Sequence, residues 1–389
     1  MGRCEKSHRL FIMKKIMYIL ITTLAAGASP LSAEIQCNQF EIKMYSRIWQ
    51  VTSYFVQDDL ALNPNKDFEM LEPEGIAYNM GSLYVSGDRE LWNTNSRLAV
   101  YTWQSDILAY SGFRQMPNTS PDWWGPDGLA FNLSADVNSY GSDPNELVSI
   151  EADSPLQAGI VDISTGSVTG KKPIASANDI AHISSTGQFA LIADGNEYST
   201  VTIYDKMLDT PESNYPVLSG SRGLASMNSD FIQWLTGETV IQDGLLLTSE
   251  KDGLNKLVIY DLSGNQIGPE QILPVLPRAR ISLGGGLYIV KPAFGSIEAI
   301  TIDQANKIMF IGDDSNAMVH ILKFVRHIAD LNSDGNVDGL DCEIFAGQWL
   351  LNDCANPNWC SGADLDRNTK IDIYDFAIFA TYWGIIEAY

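Results

Sequence analysis

Asp330, Asn332, Asp334, Asp338 and Asp341 place side-chain oxygens at positions 1, 3, 5, 9 and 12 of one twelve-residue loop. The Asn336 carbonyl falls at position 7 and Gly335 at position 6, where the chain must turn sharply. Hard, flexible Ca²⁺ takes an all-oxygen shell with this spacing, Asp338 reaching it through water. The order returns 34 residues later as Asp364, Asp366, Asn368, the Lys370 carbonyl, Asp372 and Asp375. There Thr369 stands in the glycine position. A β-branched residue is costly at positive φ, so the second loop is expected to bind more weakly or with altered geometry. The other reading of both loops is a pair of ordinary Asx-rich turns.

Each loop runs into an apolar, helix-like stretch, "CEIFAGQWL" and "FAIFATYWG", in which Ile344, Phe345 and Trp349 align with Ile378, Phe379 and Trp383. Position 12 is Asp rather than Glu, and no helix-length segment precedes the first loop. Loop then helix, twice, resembles a type I dockerin domain from about Ala329 to Gly384. The resemblance implies a small helical module that folds on Ca²⁺ and docks to a cohesin-type domain on another protein. Its calcium ligands carry over onto the residues just named. Its partner-selecting positions fall on Gly339–Leu340 and Ile373–Tyr374, which are not the small hydroxyl residues often seen there. Between the loops, Cys354 and Cys360 enclose "ANPNW", a loop that a disulfide would close. Cys342 occupies the place of Phe376 and is expected to be buried rather than paired with Cys37.

The larger region must supply any further chemistry, and it is built from repeats. One phrase recurs as "EPEGIAYN", "GPDGLAFN", "ANDIAHIS", "SRGLASMN" and "SIEAITID". Its leading column holds Glu74, Asp127, Asn178, Arg222 and Glu298, at intervals of 53, 51, 44 and 76 residues. A second phrase ends in Asp88, Glu151, Asp194, Glu250 or Asp313, and a third strand-like run follows in most copies. Short strands at a blade-length period predict an all-β domain, a β-propeller of five or six blades. The long last interval has room for a degenerate sixth blade around "GGGLYIVKP". The strand-like "IKMYSRIWQVTSYF" is expected to close the ring by pairing into the last blade.

In "EGIAYNMGSLYVSGD" two antiparallel strands flank a tight turn, so Glu74 and Asp88 sit at one end of a hairpin. Repeated around a ring, such acids gather at one opening. Closely spaced carboxylates raise one another's pKa, and a bound Ca²⁺ relieves the repulsion. The alternative is that these acids cap turns and accept backbone amides within each blade. "EPEGIA" with "LYVSGD" resembles the phytase-like propeller families, including those labelled esterase-like. That resemblance implies Ca²⁺ bridging an anionic phosphate ester to an acidic channel, with Glu74, Asp127 and Glu298 as candidate catalytic or ligating acids. Asn178 and Arg222 depart from the column, and no basic cluster accompanies it.

Trp123 and Trp124 beside Asp127 suit either stacking on sugar faces or packing between blades. A glycosidase would use two of the rim acids. His182 shares a column with Tyr78 and Phe131 and reads as a core ring. His320 lies in a strand, and His327 in the link to the loop module. The chain has no HExxH, CxxC or GxSxG motif.

Residues 1–33 have a basic start, an apolar run and small residues, the layout of a secretory signal peptide. The formal net charge is −23, and the leader removes more basic than acidic residues. Such a charge disfavours nucleic acid and anionic lipid as partners. The expected organisation is a propeller over 34–325 and a calcium-loop module over 326–389. The expected setting is extracellular polysaccharide breakdown, the propeller serving as a binding or accessory component. The alternative is a Ca²⁺-dependent phosphoesterase or glycoside hydrolase acting through the rim carboxylates.

Overall fold

The structure, a computed structural model, describes residues 36–383 other than 46, 57–72, 88–96, 105–106, 117–125, 134–135, 137, 152–155, 196, 252, 274–279, 285–286, 291–293, 317, 325–327, 333–336 and 355–358. The proposed leader therefore lies outside the described residues, as do Asp88, Trp123, Trp124, His327, Asp334 and Asn336.

Five antiparallel sheets form a propeller. The first blade is β3 (Gly75–Asn79), β4 (Ser82–Ser86), β5 (Arg97–Gln104) and β6 (Ile107–Gln115). The second is β7 (Gly128–Ala130), β8 (Glu146–Glu151), β9 (Gln157–Asp162) and β10 (Val168–Pro173). The third is β11 (Asp179–Ile183), β12 (Gln188–Ala193), β13 (Ser199–Tyr204) and β14 (Pro211–Val217). The fourth is β15 (Ser221–Met227), β16 (Gly244–Lys251), β17 (Leu254–Asp261) and β18 (Gln266–Ile272), with helix α1 (Ser229–Thr236) between its first two strands. The last blade joins the two ends of the domain: β21 (Ile297–Asp303), β22 (Ile308–Asp313) and β23 (Met318–Phe324) pair onward to β2 (Arg47–Phe55) and β1 (Gln36–Met44).

Five blades resolve the choice left by the repeat lengths. The 76-residue interval contains α1 and a two-stranded hairpin, β19 (Arg280–Gly284) with β20 (Leu287–Val290), rather than a sixth blade. The expected closure by the N-terminal strands is present, with Ser53 opposite His320 and Val51 opposite Leu322.

Burial explains which runs become which strands. Middle strands are covered on both faces, so β12 and β22 read as continuous apolar runs and are buried along almost their whole length. Outer strands β10, β14 and β18 alternate poorly and stay largely exposed. Between each neighbouring pair of blades lies one apolar cluster, five in all. The cluster between the fourth and last blades also takes the buried face of α1, Phe231, Ile232 and Leu235. The β3–β4 turn needs two left-handed residues, which Met80 (φ 46°) and Gly81 (φ 82°) supply.

Beyond the propeller, α2 (Gly339–Gly347) and α3 (Ile373–Tyr382) form a module with its own core. That core is two-fold in sequence: Ala329, Leu331, Val337 and Phe345 are matched by Ala363, Leu365, Ile371 and Phe379. The Phe345 and Phe379 rings stack at 5.0 Å between centroids. Cys354 and Cys360 form the expected disulfide, and Cys342 is a free, half-buried thiol.

Candidate functional site

The five inner strands β3, β7, β11, β15 and β21 contact one another in ring order. Their starts carry Glu74, Asp127, Asn178, Arg222 and Glu298, each half-buried between two buried neighbours. Three residues on, Ala77, Ala130, Ala181, Ala225 and Thr301 all line one axial cavity. The inner strands therefore run in the same sense. The leading column forms an upper rim, and the cavity lies toward the lower end.

The upper rim is charged, and its charges are largely engaged with one another. Arg222 pairs with Glu298 across the blade boundary, and its Nε lies 3.4 Å from Asp194 Oδ2. Burial works against the Arg222 charge, but Glu298 and then Asp194 outweigh it and hold the guanidinium firmly protonated. Ser296 Oγ donates to Glu250 Oε2 at 2.6 Å and to Glu298 Oε1 at 3.0 Å. Asn178 Oδ1 accepts the Asp194 amide at 2.7 Å, and Asp194 Oδ1 accepts from Gly195 N at 2.7 Å. The departure at Arg222 is thus not a gap in the column. It is a cation that commits Glu298 and Asp194 to a network spanning three blades. Among the described residues, Glu74, Asp127 and Glu298 do not form a group of three whose ligand atoms all lie within 4.8 Å of one another.

Immediately below the rim, the next position of the phrase reads Gly75, Gly128, Asp179, Gly223 and Ala299. Small residues are needed where the strands crowd the axis: a Cβ on Gly128 would stand 2.6 Å from the Asp179 Cα. Asp179 is the exception, and it is buried. Its Oδ2 accepts Leu224 N at 2.7 Å, its Oδ1 accepts Ile180 N at 2.8 Å, and Leu129 N also donates to it. One carboxyl group thereby satisfies amides on three adjacent inner strands, whose axial edges have no ladder partner. Burial pushes its pKa well up, the three amides oppose that, and the Asp127 charge adds to it. Sequence reasoning missed Asp179, although a lone Asp among three Gly and one Ala was the visible signal.

Asp313, the last of the second acid column, is also structural. Its Oδ2 takes Gly295 N at 2.6 Å, Asn316 Nδ2 at 2.7 Å and His320 Nε2 at 2.9 Å. The other ring nitrogen of His320 meets Ser53 Oγ at 2.7 Å. Ser53, His320 and Asp313 are all fully buried. No substrate reaches them, and they pin β2 to β22 and β23. In this column, Asp194 and Asp313 are each engaged by both backbone amides and side-chain donors within the propeller.

In the C-terminal module the two loops repeat one hydrogen-bond pattern. Asp341 Oδ1 accepts Leu331 N at 2.6 Å and Asn332 N at 3.1 Å, while its Oδ2 accepts Asp338 N at 2.9 Å. Asp375 does the same with Leu365 N, Asp366 N and Asp372 N at 2.7, 3.1 and 2.9 Å. Asp338 and Asp372 in turn cap the helices they begin. In the second loop, ligating atoms of Asp364, Asp366 and Asp375 lie within 4.8 Å of one another, with Asp364 and Asp375 buried. Burial first, then the charges of Asp375 and Asp366, raise the Asp364 pKa, against the pull of the Thr369 and Asn368 amides. An all-oxygen group of this kind fits a hard divalent cation. Asn368 Oδ1 accepts Lys370 N at 2.9 Å, which folds the middle of the loop. Thr369 takes the expected left-handed conformation, φ 79°. Of the residues expected to ligate in the first loop, Asp330, Asn332, Asp338 and Asp341 are described; Asp330 and Asp341 are buried.

No family model and no curated protein matches this chain. Among solved structures, it is similar to the Pan2 WD40 domain of Neurospora crassa, at 8% identity and TM-score 0.37, over 76% of this chain and 90% of that one. It is also similar to Kuenenia stuttgartiensis hydrazine synthase, at 11% identity and TM-score 0.38, over 67% and 78%. A third is an auxiliary nutrient binding protein from Bacteroides thetaiotaomicron, at 11% identity and TM-score 0.36, over 74% and 67%. At these values the similarities carry no functional argument.

Proposed function

We propose that this chain is an extracellular, non-catalytic propeller carried on a Ca²⁺-dependent, dockerin-like module. In this reading the propeller binds glycan or protein within an assembly that degrades polysaccharide, and the module attaches it to a cohesin-type domain. The observation that carries the reading is the duplicated loop: two position-12 aspartates hold matching amides, and three carboxylates of the second loop converge. Leu340 and Tyr374, at the positions the resemblance assigns to partner choice, are 57% and 66% exposed. Exposed apolar side chains at matching sites in both repeats suit a docking face. Against the hydrolase alternative, Arg222 engages Glu298 and Asp194.

The test is a calorimetric titration of the full chain with Ca²⁺. Two binding events are expected, the weaker from the second loop, and Asp375→Ala should remove that one alone. Retention of both events in the variant would refute the ligand assignment. Turnover of a phosphate ester or polysaccharide that is lost in Glu74→Gln would restore the enzymatic alternative.

A further inference from the structure

The second calcium-type loop has a support that the sequence gives the first no means to copy. Residues 320–341, which include the first loop, contain no cysteine. The second loop follows the Cys354–Cys360 disulfide, and both ends of that bridge reach into it. From one end, Cys354 N donates to the Thr369 carbonyl at 3.0 Å. Beside it, Ile371 N donates to the Leu351 carbonyl at 2.9 Å, and Leu350 N donates to the Ile371 carbonyl at 3.2 Å. Asn352 pairs antiparallel with Lys370 between them. Loop positions 6 to 8 are therefore laid along residues 350–354. From the other end, the Trp359 carbonyl accepts Asp364 N at 3.2 Å, and the Cys360 carbonyl accepts Ala363 N at 3.1 Å.

Within the loop, Thr369 N donates to Asp364 Oδ2 at 2.9 Å. These bonds close a circuit: Cys354, Thr369, Asp364, Trp359, Cys360 and, through sulfur, Cys354 again. The circuit passes through the position-1 carboxylate and the position-6 turn. It also holds backbone that would otherwise relax. Thr369 stands at φ 79°, and Trp359, Cys360 and Ser361 follow one another at φ 41°, 52° and 60°. L residues are costly in this region, and a run of them persists only where its surroundings fix it. Cys354 is buried in the module core with Ala363 and Ile371, so the bridge is anchored at the end that holds Thr369.

We propose, on the Ca²⁺ reading given above, that the Cys354–Cys360 disulfide positions the second loop for its cation, so that Ca²⁺ affinity there, and not in the first loop, depends on the bond. With the bond closed, Asp364 and Thr369 are held before the cation arrives, and binding is relieved of part of the cost of ordering them. With it open, that cost falls on binding. The coupling is reciprocal: Ca²⁺ in the second loop resists opening of the bond by the same factor.

The test compares Ca²⁺ titrations of the untreated full chain and of the chain opened with dithiothreitol. The dithiol exchanges with the bond, leaving two thiols in the protein and a cyclic disulfide in the reagent. The weaker event, the one that Asp375→Ala removes, should weaken at least about tenfold on opening, and the stronger event by less than about threefold. Cys354→Ala combined with Cys360→Ala should reproduce this without reagent. Where that variant fails to fold, the reciprocal measurement decides. Excess Ca²⁺ should raise the reduced-to-oxidised dithiothreitol ratio at half-opening about tenfold, and Asp375→Ala should abolish the rise. Equal second-loop affinity with the bond open and closed, equal weakening of both events, or an unmoved ratio would each overturn the proposal and leave the Ca²⁺ reading standing. No binding event in the untreated chain would overturn the Ca²⁺ reading itself, and this proposal with it.

Discussion

The propeller and the C-terminal module both bury acidic side chains, but they resolve the cost differently. In the propeller the buried acids Asp179 and Asp313 meet protein donors. Asp179 takes three amides, and Asp313 takes two amides, an asparagine and a histidine. In the module the amides satisfy part of each carboxylate, yet Asp364, Asp366 and Asp375 still converge on one another. The first arrangement is complete within the chain. The second leaves a group of oxygens that a hard divalent cation would fit. An acid repeat therefore has no fixed meaning, and what counts is whether nearby donors are numerous enough to neutralise it.

The strongest way to break this contrast is chelation. EDTA should unfold the module while the propeller keeps its melting transition, read by hydrogen exchange at the inner-strand amides and at α2 and α3. Equal protection of both parts with and without EDTA would remove the distinction.

A smaller effect is expected from Asp313→Ala, which strips the acceptor from four donors at the closing blade. The loss should be about 3–5 kcal/mol in the propeller transition, with the module's Ca²⁺ affinity unchanged. A loss under about 1 kcal/mol would mean that water replaces the carboxylate.

Asp179 should show itself through pH. Its folded pKa is raised above the unfolded value. Its contribution to stability is therefore complete below the unfolded value and lost as pH rises through the folded one. Measured against Asp179→Asn, the native chain should gain stability on acidification, by at most about 1.4 kcal/mol per pH unit. A flat or opposite difference would contradict the burial argument.

The smallest effect concerns Thr369. Replacement by Gly removes the left-handed strain at φ 79° but adds unfolded-state entropy. The net gain should be about 0.5–1 kcal/mol, or roughly two- to fivefold in second-loop Ca²⁺ affinity by titration. Unchanged affinity would show that the backbone there adapts at no cost.

The duplicated loops and the disulfide of the C-terminal module were legible because their partners are close in sequence. Asp341 bonds residues nine and ten positions away, and the second copy repeats the spacing. The blades were legible as repeats, since every middle strand needs an apolar run. The blade count was not, because an inserted helix and a hairpin mimic the length of another repeat. The rim was least legible. Arg222 meets Glu298 76 residues away and Ser53 meets His320 267 residues away. Such pairs exist only once strand register and ring order are fixed, and no local pattern encodes them.

The shared last blade also orders events in time. During synthesis β1 and β2 emerge first, but β23, the strand that β2 pairs with, emerges after every other blade. The two oldest strands must wait with an unpaired edge while the four blades between them assemble. Distant pairings of this kind form slowly and leave a sticky edge exposed meanwhile. A nearly finished ring with one seam open is therefore the species expected to be most exposed to mispairing.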